Sequence, residues 1–127
     1  MTSLPHNRAT DDAAFRRGIA QFNAGEFWEA HESWEVVWLP AAEPDKTFLQ
    51  GIIQVSAGFH HQRRGNPAGA RSLLRRGLAK LERFPAGYRG IALQELRHAA
   101  QCWLEAIESG GGAFPESFPE IRDDSQS

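Results

Sequence analysis

The sequence predicts an all-α fold: a compact bundle of about five helices, built as two helical hairpins of the tetratricopeptide-like kind plus a C-terminal helix. Three observations carry this. Apolar residues recur three and four apart over most of the chain, the period of a helix with one buried face. No stretch of weight alternates apolar and polar residues as a half-buried strand would. The breaks between the periodic stretches are helix punctuation: Asn23-Ala24-Gly25, Leu39-Pro40, Gly65-Asn66-Pro67 and Gly110-Gly111-Gly112.

Taken in order, residues 1–9 read as a flexible arm. Thr10 followed by Asp11 and Asp12 marks a helix start, a capping hydroxyl with acids over the positive end of the dipole. Phe15, Ile19 and Phe22 give this first helix a narrow apolar face, and Gly25 supplies the left-handed turn that ends it. The second helix spans the Trp/Glu-rich stretch to about Leu39-Pro40. The third runs from about Thr47 to Arg64, with Phe48, Ile52, Val55 and Phe59 in one stripe. Leu49, Ile53 and His60 widen that stripe, so this helix is expected to be the most buried. Gly51 and Gly58 share a flank without side chains. A glycine inside a helix costs about 1 kcal/mol against alanine, so two of them imply a second helix backbone passing close by.

Gly65 closes the third helix, Asn66 caps the fourth and Pro67 takes its first position. The fourth helix, to about Arg83, faces Ala70, Leu73, Leu74, Gly77, Leu78, Leu81 and Phe84 inward and Arg71, Arg75, Arg76 and Lys80 outward. The fifth runs from about Ile91 to Glu108, with Leu93, Leu96, Ala100, Trp103, Leu104 and Ile107 inward. One bundle domain therefore covers residues 10–109. Residues 110–127 form a tail, partly disordered, with Phe114 and Phe118 placed to dock on the bundle. Gly25 to Ala30 and Gly65 to Ala70 both set a glycine at a junction and an alanine five residues on. That is either a remnant repeat or the shared need of two hairpins for similar turns.

The bulk numbers bound the function. A chain of 127 residues, 41% hydrophobic and 24% charged, is one soluble globular domain. A single cysteine, Cys102, excludes an internal disulfide and a cysteine-rich zinc site. No secretory run opens the chain and no apolar run approaches a membrane span, so a cytoplasmic location is expected. Residues 18–45 hold Glu26, Glu29, Glu32, Glu35, Glu43 and Asp45 and no Lys or Arg, whereas residues 63–83 carry seven basic residues against Glu82. With a net charge of -2 and no aromatics among those arginines, the pattern argues against a nucleic-acid partner. It is read instead as attraction between the acidic second helix and the basic fourth, plus a solvated face.

Phe27-Trp28-Glu29-Ala30-His31-Glu32-Ser33-Trp34-Glu35-Val36-Val37-Trp38 concentrates the chemistry. On a helix, Phe27, Trp34 and Trp38 share the apolar stripe and His31 borders it. Glu35 lies one turn on, Trp28 and Glu32 come just beyond, and Glu29 and Ser33 point away. This is either a site or a buried polar strut. As a site it admits two readings. A binding or scaffold module would recognise an unidentified peptide or small ligand at the cleft between the second and third helices through Trp28 and Trp34 or Trp38, with His31, Glu32, Glu35, Gln54 and His60 as polar contacts. A metal-dependent hydrolase would use His31, Glu35 and His60 as ligands and Glu32 as base, since His31-Glu32-x-x-Glu35 departs from the zinc motif only in its second histidine. An exposed tryptophan patch would also suit a homo-oligomer. Glu95-Leu-Arg-His98 matches one arm of a di-iron bundle but has no second copy, and with Cys102 it faces away from the fifth helix's apolar stripe, as a solvated face.

Phe22-Asn-x-Gly25-x-Phe27-x-Glu29-Ala30-His31-Glu32-x-Trp34-Glu35-x-x-Trp38, then Leu49-Gln-Gly51-Ile-Ile-Gln54 and Gly65-Asn66-x-x-Gly69-Ala70-x-x-Leu73-Leu74, resembles a small all-helical bacterial and archaeal family. It is the domain of unknown function numbered three hundred and nine, and the resemblance covers roughly residues 15–84. It implies a compact helical bundle and no established activity, substrate or cofactor. The signature positions it marks are Glu29, His31, Glu32, Glu35, Trp38, Gly51, Gln54, Gly65 and Asn66.

Overall fold

The periodic stretches are helices in the computed structural model, which describes residues 8–110 and 113–124. They are α1 (Arg8–Asn23), α2 (Phe27–Trp38), α3 (Asp45–Arg63), α4 (Pro67–Leu81) and α5 (Leu93–Ser109), with a single 3-10 turn, Tyr88–Gly90, before α5. Among the described residues no strand forms, and an isolated β-bridge joins Ile91 to Asp123. Four boundaries differ from expectation by two residues; α3 begins at Asp45 rather than Thr47 and α4 ends at Leu81 rather than Arg83. α1 begins at Arg8, so Arg8 and Ala9 are helical and Thr10 is not its cap; the rest of the expected arm lies outside the described residues. Ile91 does not open α5. It is extended and buried, because the tail pairs with it there.

The main packing partner of each helix is its neighbour in sequence: α1 on α2, α2 on α3, α3 on α4 and α4 on α5. That order is the stacked-hairpin arrangement of helical arrays. The first three helices share an aromatic core. Phe22 meets Phe27 edge-on at 5.0 Å between ring centroids, and Phe59 lies 5.6 Å from Phe27 and 6.1 Å from Phe22. α3 runs through the middle with Phe48 to Phe59 buried on it, as the width of its stripe predicts.

The glycines of α3 mark its contact with α4. A Cβ on Gly58 would sit 2.9 Å from Leu74 Cγ, and one on Gly77 would sit 2.8 Å from the Gly51 carbonyl oxygen. Asn66 caps α4, its Oδ1 accepting the Gly69 N–H at 3.1 Å, and Pro67 takes the first turn. The carbonyls at the far end of α4 are met by Arg97 of α5, which donates to the oxygens of Leu81 and Phe84 at 2.9 and 2.7 Å.

Beyond α5 the chain returns across the bundle. Phe118 stacks on Trp103 at 4.6 Å and meets Phe27 and Phe59 edge-on. Ile121 is 3% exposed, and its backbone exchanges two hydrogen bonds with the Asn23 side chain, at 2.9 and 2.6 Å. Phe114 stacks on Trp103 from a more exposed position. Residues 113–124 are thus a strap laid on the helices; the last residues, expected to be disordered, lie outside the described ones.

The charge expectation needs correction. α2 packs on α1 and α3, while α4 packs on α3 and α5, so the acidic and basic helices do not face each other. Arg75 of α4 pairs with Glu108 of α5. Surface attraction is too weak to choose a packing partner, and apolar burial together with the glycine contact decides it.

Candidate site on the α2–α3 face

α2 turns its apolar stripe inward and leaves a row of large and charged side chains outside. Trp34, 0% exposed, is core: its indole packs against Gly18 through its pyrrole edge, and its Nε1 donates to the Phe15 carbonyl at 3.0 Å. Ser33, expected to point away, is buried toward α1 and donates to Gln21 Oε1 at 2.7 Å. Trp38 is half-buried at the C-terminal end of α2. Lys46 lies 4.2 Å above its ring and donates to the carbonyls of Trp38 and Leu39, closing the helix. Gln54 faces α4 instead, accepting a hydrogen bond from Lys80 at 3.0 Å. Trp34, Trp38 and Gln54 therefore do not line a common cleft with Trp28.

Trp28, His31 and His60 do come together. The Trp28 indole is 42% exposed and lies 4.5 Å from the His31 ring and 5.1 Å from the His60 ring, centroid to centroid. His31 Nε2 stands 3.2 Å from Glu35 Oε2, one turn on; Nδ1 is buried and has no partner among the described residues. Glu32 is exposed. A cleft of about 420 Å³ opens beside the indole, lined by Trp28, Glu29, His60, Arg63 and Arg64. Burial pushes the His60 imidazolium below its ordinary pKa, and Arg64, His61 and Arg63 add to that against the pull of Glu29. Arg63 is held in place, donating to the Gly25 carbonyl and lying 4.8 Å over the Phe27 ring.

The proposed metal ligands are not assembled. Among the described residues no three His, Cys, Asp or Glu side chains stand close enough to share an ion. His31 pairs with Glu35, and the indole of Trp28 packs on both imidazoles, so His60 joins the tryptophan rather than that pair. The Glu95–His98 face has its own partners: Glu95 binds Arg122 of the strap at 2.8 Å, and His98 Nε2 lies 3.8 Å from Cys102 Sγ.

One cluster has no signature in the sequence. Arg89, at φ 59, projects its guanidinium onto Asp45 at 2.7 Å and over the Phe15 ring at 4.5 Å. Tyr88 donates to the other oxygen of Asp45 at 2.5 Å. Burial and that carboxylate push the Tyr88 hydroxyl up to about 12. The cluster fastens the turn before α5 to the start of α3 and borders a groove of about 600 Å³ that Asp11 and Asp12 also line. Its partners are more than forty residues apart, so no local pattern announces it.

Fold and face together define a small domain of stacked helical hairpins with its exposed chemistry on the second helix. Residues 15–73 match the family model described as a domain of unknown function (DUF309). The match runs from Phe15 in α1 to Leu73 in α4 and takes in all of α2 and α3, so the family resemblance read from the sequence is shown over the segment that carries the candidate site. A relative from Aquifex aeolicus (strain VF5), described as an uncharacterized protein, is 34% identical over 77 residues. That alignment takes in 60% of this chain and 23% of the relative, so the chain spans about a quarter of that protein's length. Among the described residues no helix is long and apolar enough to cross a membrane.

Proposed function

We propose that this domain is a non-enzymatic binding module that holds a peptide or small molecule in the cleft beside Trp28. One observation carries the reading: the largest apolar side chain in the protein's repertoire is left 42% exposed and is braced by two imidazole rings. An indole fixed in one orientation loses little conformational entropy on binding, which is what makes tryptophan a frequent anchor. The cleft of about 420 Å³ falls within the range of small-ligand sites. Glu29 on one wall and Arg63 and Arg64 on the other supply both signs of charge, and His60, kept toward its neutral form, can donate at one nitrogen and accept at the other. The hydrolase alternative needs ligands that converge, and His31, Glu35 and His60 do not.

The test is a nitrogen-15 NMR screen of the labelled protein with fragment and short-peptide mixtures, read at the four indole N–H resonances. Ligands are expected to move the Trp28 indole signal and the backbone signals of His60 and Arg64. Trp28→Ala should fold normally, because the side chain is outside the core, and should abolish those shifts. Hits that leave Trp28 and His60 unmoved would sink the proposal.

A further inference from the structure

The exposed chemistry of α2 does not end at the cleft. Among the described residues four large apolar side chains are exposed: Trp28 at 42%, Val36 at 55%, Leu39 at 68% and Phe114. Three of the four lie on α2 or at its C-cap. Trp28, Glu32, Glu35 and Leu39 are spaced i, i+4, i+7 and i+11, and Val36 lies beside them. That is the a/d spacing of a helix presenting a seam to another helix. At 1.5 Å per residue the seam from Trp28 to Leu39 is about 16 Å long, three turns of a partner helix. Its opposite side, Phe27, Ala30, Trp34 and Val37, is fully committed to the core.

The charge of the seam selects what covers it. Glu29, Glu32 and Glu35 are all exposed; Arg63 and Arg64 share the cleft with Glu29, whereas residues 18–45 bring no Lys or Arg to Glu32 and Glu35. Within the chain Glu35 meets His31, while Glu29 and Glu32 form no ion pair among the described residues. The basic helix α4 packs mainly on α3 and α5. A symmetric α2–α2 contact between two copies would set these carboxylates against each other. The basic face of a second copy's α4 would match the charge, but it offers no exposed large apolar residue to cover Trp28, Val36 and Leu39. An anionic membrane surface is repelled by the same three glutamates.

We infer that the outer face of α2, from Trp28 to Leu39, docks a cationic amphipathic helix of a partner protein, its aliphatic residues on Trp28, Val36 and Leu39 and its lysines or arginines on Glu32 and Glu35. This rests on the binding-module reading and names its partner class. The recognition mode is a helix laid on a helix face, where apolar anchors set affinity and rim charges set orientation and on-rate.

The probe is an 18-residue peptide of leucine and lysine with leucines three and four apart. A scrambled peptide of the same composition and a leucine–glutamate version of the same pattern serve as controls. Calorimetry and NMR on the full chain are expected to show the patterned cationic peptide binding and shifting Val36 and Leu39. Salt should weaken it, and the glutamate version should not bind. Leu39→Ser, and separately Glu32→Gln with Glu35→Gln, should weaken binding about tenfold or more; all three positions are exposed, and circular dichroism verifies the fold. Equal binding by the scrambled peptide, no binding at all, or affinity unmoved in these variants overturns the inference. Shifts confined to Trp28 and His60 and indifferent to Leu39→Ser would overturn it while leaving the cleft reading intact. A dimer in sedimentation that Leu39→Ser dissociates would assign the seam to a second copy and overturn it equally.

Discussion

Gly18 and Trp34 close the first hairpin as a pair. Mid-helix glycine is disfavoured by about 1 kcal/mol against alanine, so its presence in α1 needs a reason. The reason is the Trp34 indole, which lies so close that a Cβ on Gly18 would overlap its pyrrole edge. The indole cannot retreat: its Nε1 is tied to the Phe15 carbonyl, and Phe22 packs 6.0 Å away. Gly18→Ala should gain about 1 kcal/mol of helix propensity and lose more to overpacking, for a net destabilisation of up to about 2 kcal/mol in urea titration. A raised midpoint would mean that Trp34 shifts freely. Trp28 is the opposite case. Both are tryptophans of one helix, and the helical angle alone already set Trp34 on the apolar stripe and Trp28 beyond it. What the angle could not supply was the second wall, His60, which arrives from a helix thirty residues on.

At the scale of elements, what could be read in the sequence was local. Helix starts and stops are written in neighbouring residues, so the Gly65-Asn66-Pro67 junction was legible in full, and so was the flank of Gly51 and Gly58 against which α4 rests. Asn66 does two things there: its Oδ1 caps α4 at the Gly69 N–H, and its Nδ2 lies 2.9 Å from His61 Nδ1 at the end of α3. Asn66→Ala should cost about 1 kcal/mol, the usual worth of a cap. Asn66→Asp keeps the capping oxygen and loses the donor to His61, so comparing the two midpoints separates cap from strut. If alanine and aspartate lose equally, the cap contributes nothing and the His61 contact carries the junction. Long-range choices were not legible. The basic charges of α4 suggested α2 as partner, but close packing of glycine faces seated α4 on α3 and turned Arg75 toward Glu108. The Asp45–Tyr88–Arg89 cluster was invisible for the same reason, since its residues meet only after the chain has folded.

For the whole molecule the decisive element is the strap. Helices that pack chiefly on their sequence neighbours form a quasi-one-dimensional stack, in which the ends open first. Residues 113–124 counter this by touching elements far apart in that order. Ile121 is bound by Asn23 at the end of α1, and Phe118 packs on Phe27 of α2, Phe59 of α3 and Trp103 of α5. Trp103 also donates to the Ser117 carbonyl, and the backbone of Arg122 and Asp124 pairs with Ala92 and Gly90 ahead of α5. First and last helices are thereby fastened through one apolar seam. Removing the chain after Gly110 should leave the helical circular dichroism largely intact while lowering the urea midpoint and broadening the transition, because the stack then opens from its ends. Ile121→Ala alone should cost about 2–5 kcal/mol, the range for deleting a buried aliphatic side chain. It should also speed amide exchange near Asn23 as well as near Ala92. Were the cost only a few tenths, or the faster exchange confined to the tail itself, the strap would be a passive covering and neighbour packing alone would hold the array closed.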